Sequence, residues 1–148
     1  MKKYLVVLFL LFSIPSIALA QLEKPVKWSF HGKKVNSTEA VIYIKAKISG
    51  NWHIYAQSVK QEAMRLKFNY NSTKDYGLIG KTIEPKPIKK YDNVVKMELA
   101  YFEKEVVFTQ RIKLNKATAL VKAKVEFMAC NDKQCLPADE ILLNIPIK

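Results

Sequence analysis

Hydrophobic and polar positions alternate along much of the chain. Ala40, Ile42, Ile44, Ala46 and Ile48 fall on one face of an extended segment while Tyr43, Lys45 and Lys47 fall on the other, the pattern of a strand with one face in a core and one in water. Val121, Ala123, Val125 and Phe127 against Lys122, Lys124 and Glu126 repeat that pattern. Weaker runs predict strands over 26–30, 52–56, 64–70, 94–102, 106–114 and 141–147. Turn chemistry separates them at Gly32, Ser49-Gly50-Asn51, Asn71-Ser72 and Glu84-Pro85-Lys86-Pro87. Residues 57–64 suit a single helical turn, and no long amphipathic helix competes. Short antiparallel strands at this spacing predict an all-β, two-sheet antiparallel sandwich. The segment 81–93, with two prolines and four lysines, interrupts the rhythm and reads as a long loop, a kind of segment that often carries function.

The first twenty residues follow a different rule. Lys2 and Lys3 precede an apolar run from Tyr4 to Phe12, followed by Pro15 and Ala18-Leu19-Ala20. This is the architecture of a signal peptide, with cleavage expected before Gln21. The run is too short for a transmembrane helix, and no cysteine follows it to invite lipid anchoring. Residues 21–148 are then expected to form one exported, soluble domain able to bury roughly two-thirds of its unfolded surface.

The net charge of +12 raises the question of nucleic acid. The positive residues are almost all lysines scattered singly, and only Arg65 and Arg111 offer the planar fork used in base readout, so no nucleic-acid partner is expected. Solubility and attraction to acidic partners or anionic surfaces are the plainer consequences. The chain holds two cysteines and two histidines, but His31 and His53 lie on different predicted elements at a spacing foreign to structural zinc sites, so no metal is expected. No nucleophile elbow, P-loop or dinucleotide fingerprint occurs, and neither a cofactor nor a small-molecule substrate is implied. Asn36-Ser37-Thr38 and Asn71-Ser72-Thr73 match the glycosylation sequon but read as ordinary turn sequences.

The chemistry concentrates in Phe127-Met128-Ala129-Cys130-Asn131-Asp132-Lys133-Gln134-Cys135-Leu136-Pro137. If the four polar residues between the cysteines form a hairpin loop, Cys130 and Cys135 stand directly opposite each other, within disulfide reach. An exported protein permits that bond. It has two readings, an inert structural clip or an exchanging disulfide. As a clip it is inefficient, because closing a loop of about six residues stabilises by only about 2 kcal/mol in the chain-entropy model. Continued alternation from Val121 places Ala129 inward and Cys130 outward with Lys122, Lys124 and Glu126, and an accessible, locally closed disulfide exchanges readily. One register conflict arises. Pairing Cys130 with Cys135 puts Val125 opposite Glu140, whereas the apolar positions of the return strand are Ile141, Leu143, Ile145 and Ile147. A bulge or break around Leu136-Pro137-Ala138 is expected to absorb the one-residue offset.

The cysteine segment resembles that of a known family, the N-terminal periplasmic domain of the thiol:disulfide interchange protein DsbD, also called the disulfide bond corrector domain. Gly50-Asn51-Trp52-His53-Ile54-Tyr55-Ala56-Gln57 is similar to the family's glycine-aromatic-tyrosine strand, and Tyr101 to Leu114 to its middle strand pair. Val121 to Pro137 resembles the stretch that carries the redox cysteines and ends in Cys-hydrophobic-Pro. The resemblance implies an immunoglobulin-like sandwich in the periplasm, reduced by a membrane-embedded thiol reductase and in turn reducing oxidised thioredoxin-like proteins. It implies that Cys135 attacks the partner's disulfide and Cys130 resolves the mixed disulfide. It also implies an aromatic cap over the cysteines, within Pro87 to Val95, for which Tyr91 is the candidate. Two departures stand out. The family commonly has two prolines after the second cysteine, where this chain has Pro137 then Ala138, and the usual fused membrane and thioredoxin-like domains do not follow, so the electron donor is expected on another polypeptide.

Near the cysteines, Lys133 favours a thiolate and Asp132 opposes it. Trp52, Tyr55 and Pro137 are candidates for a docking surface, with core packing the alternative for one of the two aromatics. His53 is either an acid or base near the thiols or a solvated strand histidine. The function class that competes with exchange is a non-catalytic immunoglobulin-like protein-binding module whose hairpin disulfide is structural.

Overall fold

The computed structural model describes residues 24–92 and 96–148, so the expected leader lies outside the described residues. These residues form β1 (Val26–Lys34), β2 (Glu39–Ile48), β3 (His53–Tyr55), β4 (Lys67–Tyr70), β5 (Tyr76–Ile83), β6 (Ile88–Asp92), β7 (Met97–Glu103), β8 (Glu105–Leu114), β9 (Ala119–Phe127), β10 (Ala129–Cys130) and β11 (Asp139–Ile147). All pairings are antiparallel. One sheet runs β1-β2-β8-β5, a second β10-β3-β7-β6, and a third β11-β9-β4. Among the described residues no helix is long and apolar enough to cross a membrane.

Both alternating segments are strands with the expected faces. Ala40, Ile42, Ile44, Ala46 and Ile48 of β2 are buried, as are Val121, Ala123, Val125 and Phe127 of β9. Phe108, fully buried on β8, stands register-opposite Ile44 of β2. Its ring lies 5.0 Å from Phe68 of β4 and 5.6 Å from Phe102 of β7, so one side chain ties the first sheet to both others. The fold is therefore an open immunoglobulin-like sandwich, with the layer facing the first sheet divided into two hydrogen-bonded sheets.

The segment expected to be a long loop is mostly strand. It holds the end of β5 and all of β6, and both prolines fall in the short connection between them, where no ladder hydrogen bond is lost. Gly77 and Gly80 hid β5 from the periodicity. Gly80 has φ +69° at a bulge between Ile79 and Ile83, a conformation that favours glycine. The buried Gln110 amide stitches that bulge, donating to the Ile79 carbonyl at 3.2 Å and accepting from Thr82 Oγ1 at 3.0 Å. The Tyr70 hydroxyl lies 3.1 Å from Thr82 Oγ1, and burial pushes its phenol up to about 12. Just beyond β3, the Gln57 N–H donates to Glu84 Oε2 at 2.9 Å and its side-chain amide to the Thr82 carbonyl at 3.2 Å. These bonds tie the connection leading into β6 to the end of β3.

Gly32, read above as a turn, lies inside β1. A Cβ there would collide with the Ile147 side chain and stand 3.0 Å from the Pro146 carbonyl oxygen, so glycine is required by the close approach of β11, not by a turn. Gly32→Ala is expected to destabilise the domain by about 1–3 kcal/mol through overpacking. Gly77→Ala, where a Cβ meets nothing within 4 Å, is expected to stay within about 0.5 kcal/mol. Urea unfolding midpoints of the two variants check both.

Candidate functional site: a hairpin disulfide in a polar cleft

At Met128 the chain passes from one sheet to another. Up to Phe127 it pairs with β11, and from Ala129 it pairs with β3, with Ala129 opposite Ile54 and Cys130 opposite His53. The polypeptide then turns back through Asn131-Asp132-Lys133-Gln134. The Asn131 side-chain oxygen accepts the backbone N–H groups of Lys133 and Gln134, each at 2.9 Å, which holds the turn tight. The Asn131 N–H donates to the Gln134 carbonyl at 2.8 Å and the Leu136 N–H to the Ala129 carbonyl at 2.9 Å. Those two bonds bracket Cys130 and Cys135 as a non-hydrogen-bonded antiparallel pair, the geometry that brings opposite side chains closest. The pair is disulfide-bonded, with Cα atoms 4.0 Å apart.

The expected one-residue offset lies where the register conflict required it. Cys130 pairs with Cys135 but Phe127 pairs with Asp139, and Leu136, Pro137 and Ala138 belong to no strand. Val125 thereby meets Ile141, and the apolar faces coincide.

Burial divides the two cysteines differently from the expectation. Cys130 does face away from Ala129, yet it is only 1% exposed, whereas Cys135 is exposed. Alternation gave the face correctly but not its environment. Once β10 joins β3, that face is no longer the wet side of β9, because Cys130 is flanked by His53 on one side and by its bonded partner Cys135 on the other.

Strand pairing sets these side chains in one cross-strand row, Cys135–Cys130–His53–Glu103, since each residue is register-opposite the next. Directly opposed residues share a face and have Cβ atoms about 4.5–5.5 Å apart. Tyr55 and Tyr101 form the neighbouring row. Both rows line a cleft of about 460 Å³, completed by Asn51, Lys90, Leu99, Asn131 and Asp132. The His53 ring lies 4.8 Å from the Tyr101 ring and 5.3 Å from the Tyr55 ring. Burial holds its imidazole below the usual 6.5, against the upward pull of Glu103 and Asp132, while Lys90 adds to the lowering.

Other candidates separate. Tyr55 is 5% exposed and lines the cleft, whereas Trp52, equally buried, packs in the hydrophobic core. Pro137 lines a different groove, of about 370 Å³, with Trp28, Phe127 and Leu136. Tyr91 is 59% exposed on β6 and outside the cleft lining, whereas Lys90, its neighbour in sequence, lines the cleft. The remainder of the expected cap segment, residues 93–95, lies outside the described residues. Asp132 lines the cleft and is felt by His53, while Lys133 is exposed outside that lining. Sequence reasoning missed Tyr101, Glu103, Leu99 and Lys90. Period two on Leu99, Tyr101 and Glu103 puts them on one face, but only their pairing with β3 makes that face part of the site.

The site is thus an immunoglobulin-like sandwich with a hairpin disulfide in a cleft, one cysteine of the pair exposed and the other buried. The chain matches the family model for the thiol:disulfide interchange protein DsbD, N-terminal, over residues 21–146, and it belongs to that family. Among solved structures it resembles the N-terminal periplasmic domain of ScsB from Proteus mirabilis, with TM-score 0.60 and 15% identity over 82% of this chain, which spans 46% of that chain. It also resembles the DsbD N-terminal domain of Neisseria meningitidis in its reduced form, with TM-score 0.53 and 14% identity over 83% of this chain and 86% of that one. A third similar structure is the complex between the DsbD N-terminal and PilB N-terminal domains of Neisseria meningitidis, with TM-score 0.55 and 11% identity over 84% of this chain and 87% of that chain. No curated protein matches the sequence.

The unequal exposure of the two cysteines has a direct consequence. In the reduced chain, iodoacetamide is expected to alkylate Cys135 faster than Cys130 by roughly tenfold or more, because the reagent reaches only an accessible thiolate. Peptide mass spectrometry over a time course reads the ratio, and equal rates would contradict the burial described.

Proposed function

We propose that this chain is a periplasmic thiol–disulfide exchange module that passes electrons from a membrane-embedded thiol reductase to oxidised thioredoxin-like proteins. Residues 1–20 act as its signal peptide, and residues 21–148 are the working domain. The observation that carries the reading is the unequal pair, with Cys135 open to a partner and Cys130 held beneath it within bonding distance. A thiol that attacks another protein's disulfide must be reachable. The thiol that releases the partner needs only to reach its neighbour, and burial protects it from side reactions.

The steps balance with two thiols and one partner disulfide. The Cys135 thiolate attacks a partner sulfur, forming a mixed disulfide and expelling the second partner sulfur as a thiolate. Cys130, deprotonated, attacks the Cys135 sulfur, the mixed disulfide breaks, and the partner leaves with two reduced sulfurs. Two electrons pass to the partner, and Cys130–Cys135 is left oxidised. A reductase in the membrane restores the dithiol by the same chemistry reversed. The Neisseria meningitidis relative solved with the PilB N-terminal domain supports a protein, not a small molecule, as the exchanging partner.

Cys130→Ser is expected to accumulate a mixed disulfide through Cys135 with a thioredoxin-like protein, seen on non-reducing gels, and Cys135→Ser to accumulate none. A reduction potential above about −300 mV is expected for the pair, measured against glutathione. A more negative value, together with no trapped complex, would identify an inert clip and overturn the proposal.

A further inference from the structure

The resolving step poses a problem that the attacking step does not. Cys130 is 1% exposed. A thiol with an ordinary pKa of about 8.5 is mostly protonated at neutral pH, and burial disfavours the thiolate further. A base inside the cleft, next to Cys130, offsets that cost.

We propose that His53 is that group, taking the Cys130 thiol proton as Cys130 attacks the mixed disulfide and passing it on to the released thiolate or to water. This rests on the exchange reading above. His53 is register-opposite Cys130 on β3 and lines the same cleft as both cysteines. Its ring is held between Tyr55 and Tyr101. Among the described side chains, the charged and titratable groups facing it are Glu103 and Tyr101 from β7, Tyr55 from its own strand, Lys90 from β6, and Asp132, Cys130 and Cys135 from the hairpin. Two carboxylates against one ammonium favour the imidazolium once the proton has arrived, while burial keeps the resting ring neutral and able to accept it.

In the step itself, the Cys130 S–H bond breaks and its proton goes to the imidazole nitrogen. The sulfur electron pair forms the Cys130–Cys135 bond, and the bond between Cys135 and the partner breaks, releasing a thiolate. The imidazolium then gives its proton to that thiolate or to water. No outside oxidant or reductant enters.

The test uses the reduced chain, residues 21–148, and 5,5′-dithiobis(2-nitrobenzoic acid). The first equivalent of thionitrobenzoate reports attack by Cys135, and the second reports resolution by Cys130. In the wild type the second phase is expected to quicken as pH rises through a value below 6.5, where His53 becomes neutral, and then to level off. His53→Gln is expected to lose that inflection and to slow the second phase relative to the first at pH 7 on the order of 10²-fold. His53→Tyr, which keeps a ring between Tyr55 and Tyr101, is expected to lose the inflection as well. A wild-type inflection retained in either variant, or a second phase in His53→Gln as fast as the wild type, would overturn the proposal. A wild-type chain that releases no second equivalent would instead overturn the exchange reading on which it rests.

Discussion

Two residues of backbone pairing hold the site together. Ala129 and Cys130 leave the sheet of β9 and lie against Ile54 and His53, and every other feature of the cleft follows from that change of partner. Ala129 is small and 3% exposed opposite the fully buried Ile54, so the ribbon is clamped by core packing on one face while the other face carries the cysteine. The same Ala129 presents its carbonyl to the Leu136 N–H, which seats the returning arm of the hairpin. A pair this short stays in place because both of its neighbours, the core beneath and the disulfide arm beside, are fixed.

The change of partner also explains why the two sulfurs differ. A hairpin projecting freely from β9 and β11 would expose both cysteines alike, and neither would be distinguished chemically. Laid across β3, the hairpin has an inner arm and an outer arm. Cys130 on the inner arm is enclosed between His53 and Cys135, and Cys135 on the outer arm is open. In the exchange proposed above, that inequality assigns Cys135 to encounter and Cys130 to release.

The surrounding sandwich supplies position more than chemistry. Phe108 joins the three sheets through ring contacts, so the sheet bearing the cleft sits at a defined angle on the core. The Gln110–Thr82–Tyr70 network pins the β5 bulge, and Gln57 with Glu84 ties the following connection to the end of β3. β6 pairs directly with β7, Lys90 opposite Leu99, which brings Lys90 to the wall of the cleft. Buried polar groups satisfied in this way specify a single arrangement where apolar packing alone tolerates several.

Local patterning carried much of this into view. Period-two alternation on β2 and β9, the turn residues, and the cysteine spacing are short-range properties, and they determined an antiparallel sandwich, the hairpin pairing of Cys130 with Cys135, and the need for a break at 136–138. The family resemblance rested on the same local segments. Where local signals were diluted the reading failed, as at the glycine-bearing β5, the lysine-bearing edge strand β6, and Gly32, whose reason is a neighbouring strand more than a hundred residues along the chain. The environment of Cys130 was decided only in three dimensions. Alternation determines which face a side chain occupies, but what lies against that face depends on which strand pairs beside it, and the row Cys130–His53–Glu103 joins segments that have no contact along the sequence.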